Sequence, residues 1–307
     1  MPIIVGVDSM INPDTTLTDS DVRLILEMDA DPTATFAALA EKTGLGERTV
    51  ARRYRRLVRL GVIRVVARTL PGFEGGVAWM VRSWSDTARA DRLSEALARQ
   101  PRTRWVRVSQ SGHQVVWGLL SSPGRGDPII SEVSDDAKIR RLEIMQLIKV
   151  WTPRGQIAVE VPGYRLDEVD RAVMSELRRD ARLPAAEIAK RVGVDPATVS
   201  RRTHRLVEFG IVYYEVEIDP AVQGFGVDSM IWIAMAPGKI GELAKKLSRH
   251  PYCRFVAATS GRFDLVVSVV VPHHEDLVAF VDDELAGYAV VSQEVDPMAR
   301  ILKHGAR

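Results

Sequence analysis

The sequence predicts an α+β chain in which two three-helix units alternate with two strand-rich units, and three observations carry that prediction. First, Thr49-Val50-Ala51-Arg52-Arg53 returns as Thr198-Val199-Ser200-Arg201-Arg202, 149 positions later, and Gly61 returns as Gly210 at the same offset. The register holds from Leu17/Leu166 through Asp21/Asp170, Asp31/Asp180, Ala40/Ala189 and Gly44/Gly193 to Pro71/Pro220 and Gly75/Gly224. A 149-residue period is too long for a solenoid repeat, so each copy is read as a multi-element unit and the chain as a tandem duplication. Second, up to Gly61 and Gly210 the apolar residues recur at helical spacing. Third, beyond those glycines the spacing turns strand-like and stays strand-rich to the end of each copy.

Each element follows from local signals. Thr18 stands as N-cap of a first helix with Asp21 three positions on, and Val22, Leu24, Ile25 and Met28 supply its apolar stripe. Asp167 and Asp170 open the copy. A second helix is predicted from about Thr35 to Thr43 on Phe36, Leu39 and Ala40, and Gly44 stops it. Its copy, Ala185 to Val192, follows Pro184, a residue suited to the first helical turn. A third helix runs from Glu47 to Leu60. Two short helices joined by a glycine-containing turn, the second carrying exposed cations, form a helix-turn-helix.

Strands are then predicted at 62–68 and 211–218. Past the Pro71/Pro220 turn the second half reads strand 230–235, helix 240–249, strands 254–259 and 263–271 joined at Ser260-Gly261-Arg262, helix 275–285 and strand 290–295. The first half reads 77–84, 90–99, 105–110, 115–120, a weaker helix at 129–136, and 142–151. That β-α-β-β-α-β order is the ferredoxin-like unit. The predicted divisions are an arm (1–16), helix-turn-helix units at 17–62 and 166–212, linker strands at 63–76 and 213–226, ferredoxin-like units at 77–151 and 227–304, and a linker at 152–165. Within the arm, Gly6 to Ile11 recurs letter for letter as Gly226 to Ile231, outside the 149 register; an added edge strand and a chance echo both fit.

With 307 residues, 46% hydrophobic and 27% charged, the composition is that of a soluble globular chain. A net charge of +2 means that affinity for nucleic acid must come from local clustering. Such clustering exists between Gly44 and Arg68, where eight arginines face a single acid, Glu47. Cys253 is the only cysteine, which excludes an intramolecular disulfide and a cysteine-based zinc site and fits a reducing cytoplasm. The longest apolar run, near Leu265 to Val271, is strand-length; no membrane span and no export signal are expected.

At about 100° per residue, Val50, Tyr54 and Leu57 gather on one face of the third helix while Arg48, Arg52, Arg55 and Arg59 stack opposite. A solvated face usually mixes signs for i,i+4 support, and this one does not. Thr49 and Arg56, beside the stripe, are added to the DNA-contacting set. Arg53 and Arg202 lie at the margin of the apolar face, where bracing the fold and touching DNA are both open by geometry. In the copy, Ala197, Arg201, His204 and Glu208 occupy the stripe, so Thr198, Arg201, Arg202, His204 and Arg205 form a milder DNA-binding set reading a different half-site. His273-His274-Glu275-Asp276 is read as a polar helix start, because adjacent histidines diverge by about 100° and cannot chelate together. Ser111-Gly112-His113 lacks the context of a nucleophile, and no phosphate-binding loop or cofactor motif stands out.

The sequence resembles the Lrp/AsnC (leucine-responsive, feast/famine) family of transcription regulators over nearly its whole length, twice. The resemblance rests on Leu166-Asp167-x-x-Asp170, Ala189-x-x-Val192-Gly193, Thr198-Val199-x-x-Arg202-x-x-x-Leu206, Gly210-Ile211, Pro220, Gly224 and Ser260-Gly261-x-Phe263-Asp264. It implies binding to double-stranded DNA, pairing of ferredoxin-like domains through their sheets, and a small effector, usually an amino acid, near the Gly-x-aromatic-Asp turn. Carried over, the effector residues are Thr259, Ser260, Gly261 and Asp264; the first half has Val115 where the aspartate should be. One chain would then correspond to one dimer of single-unit relatives, and larger homo-oligomers would be built from whole chains. Two alternatives share the architecture: an enzyme resembling sirohaem decarboxylases, which needs no cationic helix face, and an amino-acid sensor without DNA binding.

Overall fold

The computed structural model describes residues 17–69, 76–121, 126–151, 165–218 and 227–303. The predicted arm with its Gly6 to Ile11 segment, the Pro71/Pro220 and Gly75/Gly224 turns, and most of the 152–165 linker lie outside the described residues. The elements group into two compact units.

The first unit holds two three-helix sets and one strand from each half. Helix α1 (Asp19–Ala30) starts on a capping box, Thr18 accepting from the Asp21 N–H and Asp21 accepting from the Thr18 N–H, and α6 (Glu168–Arg179) repeats this with Asp167 and Asp170. Helices α2 (Phe36–Thr43) and α7 (Ala185–Val192) end on Gly44 and Gly193, both left-handed at φ 72° and 79°, which lets the chain turn sharply into α3 (Glu47–Arg59) and α8 (Pro196–Glu208). Pro184 is the cap of α7 rather than a residue of its first turn. Leu24, Met28, Leu39, Val50 and Leu57 are fully buried together and form the first core.

The strands predicted as linkers pair with each other: β1 (Ile63–Thr69) runs antiparallel to β6 (Val212–Ile218). Val216 of β6 joins the core of the first helix set, so the halves interlock. Across the ribbon Arg64 pairs with Glu217, and Arg68 with both Glu215 and Glu217.

Asp21, buried at 0% exposure, anchors this unit: Arg53 Nη1 donates to its Oδ1 at 2.8 Å, and the Thr18 hydroxyl donates to its Oδ2 at 2.8 Å. Burial alone would raise its pKa, but the Thr18 N–H, Arg53 and the Thr18 hydroxyl outweigh it and hold the carboxyl below its ordinary value. A carboxyl depressed in the folded state contributes stability that is complete above its unfolded pKa of about 4 and is lost as pH falls through the depressed value. Asp21→Asn is therefore expected to cost about 1–3 kcal/mol at pH 7 and to flatten the acid limb of the stability curve, measured by urea unfolding from pH 7 to 3. An equal acid loss in both proteins would assign that limb to other groups.

The second unit contains both β-α-β-β-α-β sets. The first is β2 (Val77–Trp84), α4 (Thr87–Arg99), β3 (Thr103–Ser109), β4 (Gln114–Ser121), α5 (Pro128–Ser134) and β5 (Arg141–Trp151). The second is β7 (Val227–Met235), α9 (Ile240–Leu247), β8 (Cys253–Thr259), β9 (Leu265–Val271), α10 (His274–Leu285) and β10 (Val290–Lys303). Strand orders are β3-β4-β2-β5 and β8-β9-β7-β10, the ferredoxin-like order in each case. β9 is buried at all seven positions because it is central in its sheet, with helices on one face and the other sheet on the opposite face.

The sheets face each other, as expected from the resemblance, and they also join at both edges: β5 pairs with β8 and β10 pairs with β3, closing an eight-stranded barrel. Each last strand divides its length between two partners. Trp84 to Trp79 of β2 pair with Arg141 to Gln146, after which Leu147 to Trp151 pair with Thr259 to Val256. This is why β10 extends to Lys303, well past the predicted end at Val295. Met80, Val116 and Met145 from one half meet Met230, Trp232, Phe263 and Val266 from the other inside the barrel.

Candidate nucleic-acid interface and effector turn

Helix α3 buries Val50, Tyr54 and Leu57 and leaves Arg48, Arg52, Arg55 and Arg59 exposed as one face. Arg55 Nε donates to the Ala51 carbonyl at 3.1 Å, a bond along its own helix, and Arg48, Arg52 and Arg59 form no ion pair among the described residues. Among the described residues the stripe therefore has no internal anion to satisfy it. Arg56 is turned away from it: its Nη1 lies 3.3 Å from Asp21 Oδ2, on the side where Arg53 is also held. Thr49 is half-buried, and its N–H donates to the Gly46 carbonyl.

Helix α8 presents Arg201, His204 and Arg205, all exposed. His204 Nε2 lies 4.0 Å from Glu208, and the guanidinium of Arg205 stands 5.7 Å from the Phe209 ring. Thr198 is engaged by the helix cap, its hydroxyl donating to Asp195 at 2.6 Å. Arg202 points inward to Asp167 and Asp170 at 2.7 and 3.1 Å, so of the two roles left open by geometry, bracing is the one its contacts fit. The α8 face is also less cationic at its start, where Asp195 caps the helix that Gly46 caps in α3.

The four predicted effector residues come together at the β8–β9 turn, and their polar groups are mostly engaged. Gly261 sits at φ +97°, a conformation that disfavours any side chain. The Thr259 hydroxyl donates to the Phe263 carbonyl at 2.7 Å, and Asp264 Oδ2 accepts the Met235 N–H at 2.8 Å. The Ser260 N–H donates to the Gln146 carbonyl at 3.0 Å while the Gln146 N–H donates to Ser260 Oγ at 2.8 Å, so the turn is stitched to β5 of the other half. Val115, in place of an aspartate, is simply a buried strand residue.

Beside this turn lies a group that sequence reasoning missed. Arg82, 1% exposed, is held by Glu143 at 3.0 Å, Glu294 at 2.7 Å and Asp296 at 2.9 Å, with its guanidinium over Trp232 and Trp84. Asp296 Oδ2 also accepts from Trp232 Nε1 and Gln114 Nε2, and Arg262 in the turn pairs with Glu294 at 3.0 Å. The available signal was a lone arginine in the otherwise uncharged strand Val77–Trp84. His273, by contrast, caps α10 as its sequence suggested, its N–H donating to Asp276 Oδ2 at 2.9 Å.

Residues 166–207 match the AsnC-type helix-turn-helix domain, residues 17–64 a winged helix-turn-helix DNA-binding domain, and residues 228–293 the Lrp/AsnC ligand binding domain. The HTH-type transcriptional regulator AldR of Mycolicibacterium smegmatis is 34% identical over 130 residues, which span 41% of this chain and 76% of AldR. The chain belongs to the Lrp/AsnC family of transcriptional regulators. AldR of Mycobacterium tuberculosis, a second family relative, is 33% identical over 145 residues, 46% of this chain and 81% of that protein. Among solved structures the siroheme decarboxylase NirDL covers 94% of this Lrp/AsnC chain and 93% of its own, with a TM-score of 0.67 and 13% identity, a likeness of fold. Among the described residues no helix is long and apolar enough to cross a membrane.

Proposed function

We propose that this chain is a tandem-duplicated, sequence-reading DNA-binding regulator whose two helix-turn-helix units (17–62 and 166–212) contact unlike half-sites of double-stranded DNA, α3 binding the more strongly. The observation that carries this is the exposed single-sign face Arg48-Arg52-Arg55-Arg59, set on the second helix of a helix-turn-helix and backed by a buried face. Arg201, His204 and Arg205 make the corresponding, weaker face, while Arg56 and Arg202 position the helices through Asp21 and Asp170. Each phosphate neutralised contributes about 0.9 to the slope of log K against log salt, so Arg52→Ala and Arg55→Ala are each expected to lower that slope by about one unit. Parent-like slopes for both would reduce the stripe to solvated surface.

The ferredoxin-like unit 227–304 is proposed to take an amino acid at its β8–β9 turn, with the backbone at Gly261 meeting the carboxylate and Asp264 Oδ1 the ammonium. Family membership supports this, as does the free second oxygen of Asp264 among the described residues. A ligand at 100 times its Kd stabilises by about 2.7 kcal/mol, so a thermal-shift screen of amino acids on the parent and on Asp264→Asn is the test. A ligand that shifts both equally binds elsewhere. Whole chains are proposed to assemble further in a cytoplasmic setting, and no enzymatic step is assigned. Fold likeness to NirDL is the observation that favours the alternative, and a change in visible absorption on adding a tetrapyrrole would be its signature.

A further inference from the structure

The two helix-turn-helix sets of the first unit touch through an arginine that exists in one half only. Arg182 lies in the turn between α6 and α7, where its N–H donates to Asp180 Oδ1 at 2.9 Å. Its guanidinium leaves its own half, donates from Nη2 to the Ala34 carbonyl in the α1–α2 turn, and stands 4.8 Å from the Phe36 ring and 5.2 Å from the Tyr54 ring. Those rings pack on each other with centroids 5.5 Å apart. Next to it, the Ala181 N–H donates to the Val65 carbonyl of β1 at 2.9 Å. At the 149 offset the reciprocal position is Thr33, which among the described residues bonds Asp31 of its own turn, and the counterparts of Phe36 and Tyr54 are Ala185 and Thr203.

We infer that Arg182 is a positioning residue that holds the second helix-turn-helix against the buried face of α3 and so fixes the separation at which the chain reads the two halves of its DNA site. This rests on the DNA-binding reading above. Tyr54 is on α3 directly opposite the arginine stripe, so the guanidinium sits behind the face proposed to enter the groove. A pair of helix-turn-helix sets selects a half-site spacing only if the link between them is stiff. The β1–β6 ribbon is one line of attachment, and a two-stranded ribbon twists readily. Val216 and Ala181 already pack on the first core, and Arg182 adds a ring and hydrogen-bond contact beyond them that limits the rotation further. A planar guanidinium is suited to this because it stacks on rings and donates in its own plane at once, which an ammonium does not do.

The test uses the full chain. Parent protein selects duplexes from a random pool, the two halves of the selected site are identified, and about five base pairs, half a helical turn, are inserted between them. The parent is expected to lose about tenfold or more in affinity on insertion, whereas Arg182→Thr, which installs the residue of the reciprocal position, loses less than about threefold. Both are expected to bind a duplex carrying only the α3 half-site equally. Tyr54→Phe, which keeps the ring, is expected to retain the parent's spacing preference. Should Arg182→Thr not fold, Phe36→Leu carries the same comparison. Retention of the full spacing penalty by Arg182→Thr overturns the inference, as does an equal loss on the single half-site, which would mark a merely structural role. A parent that selects one undivided half-site leaves DNA binding standing and removes the spacing role; a parent that selects no duplex removes the DNA reading itself.

Discussion

An Arg82→Met chain is expected to unfold about 3–5 kcal/mol more easily than the parent, the usual cost of stripping one partner from a buried charge cluster. Arg82 has 1% exposure, and its guanidinium faces Glu143, Glu294 and Asp296, of which the last two come from the other half of the barrel. Methionine fills much of the volume but leaves three carboxylates converging, with Arg262 and Arg141 at the margin. Desolvating an unpaired carboxylate costs far more than the lost stacking on Trp84 and Trp232. Urea unfolding followed by tryptophan fluorescence reads the change at the right place, because both rings lie within 5 Å of the guanidinium. Adding Glu294→Gln and Asp296→Asn to Arg82→Met is expected to recover part of the loss, since the repulsion goes with the charges. A parent-like midpoint for Arg82→Met alone would mean that the carboxylates are hydrated without it.

The second large effect is on binding. Replacing Arg48, Arg52, Arg55 and Arg59 together by alanine is expected to weaken DNA binding by about a thousandfold, if each contact contributes about 1 kcal/mol and a decade corresponds to about 1.4 kcal/mol. Stability should move little, because all four side chains are exposed and alanine is the better helix former. The matching triple change on α8, Arg201→Ala with His204→Ala and Arg205→Ala, is expected to cost about ten- to thirtyfold, since that face includes only two arginines and lies beside Asp195 and Glu208. Titration of a selected duplex at fixed salt measures both. Equal losses from the two helices would contradict the asymmetry; no loss from either would leave the stripe without a partner.

Much of the fold was legible because its signals are local. Thr18 with Asp21 announced α1, Gly44 announced the end of α2, and alternation announced the strands. Pairing across halves was not legible, because periodicity tells which face a residue takes and not which strand lies beside it. Pro297 hid the full length of β10, since proline ordinarily ends a strand; here it sits where the strand passes from β7 to β3, and its carbonyl accepts the Gln110 N–H at 2.8 Å. The helical wheel placed the arginine stripe correctly on an exposed face. It could not place Arg56, whose long side chain swings to Asp21, an acid that belongs to another helix. At the effector turn the residue types were readable, while the use of Asp264 by the Met235 N–H depends on a neighbouring strand.

Barrel closure has a consequence for heredity as much as for stability. With both seams made within one polypeptide, pairing of the two sheets is unimolecular, at an effective concentration of the order of millimolar however dilute the protein becomes. A few copies per cell remain paired, and no strand edge of the barrel's described residues is left for a related chain to enter. An alteration in one half is thus not repeated in the half it pairs with. The two halves can therefore carry unlike faces, and α3 and α8 do so, with four arginines on one and Ala197, Arg201, His204 and Glu208 on the other.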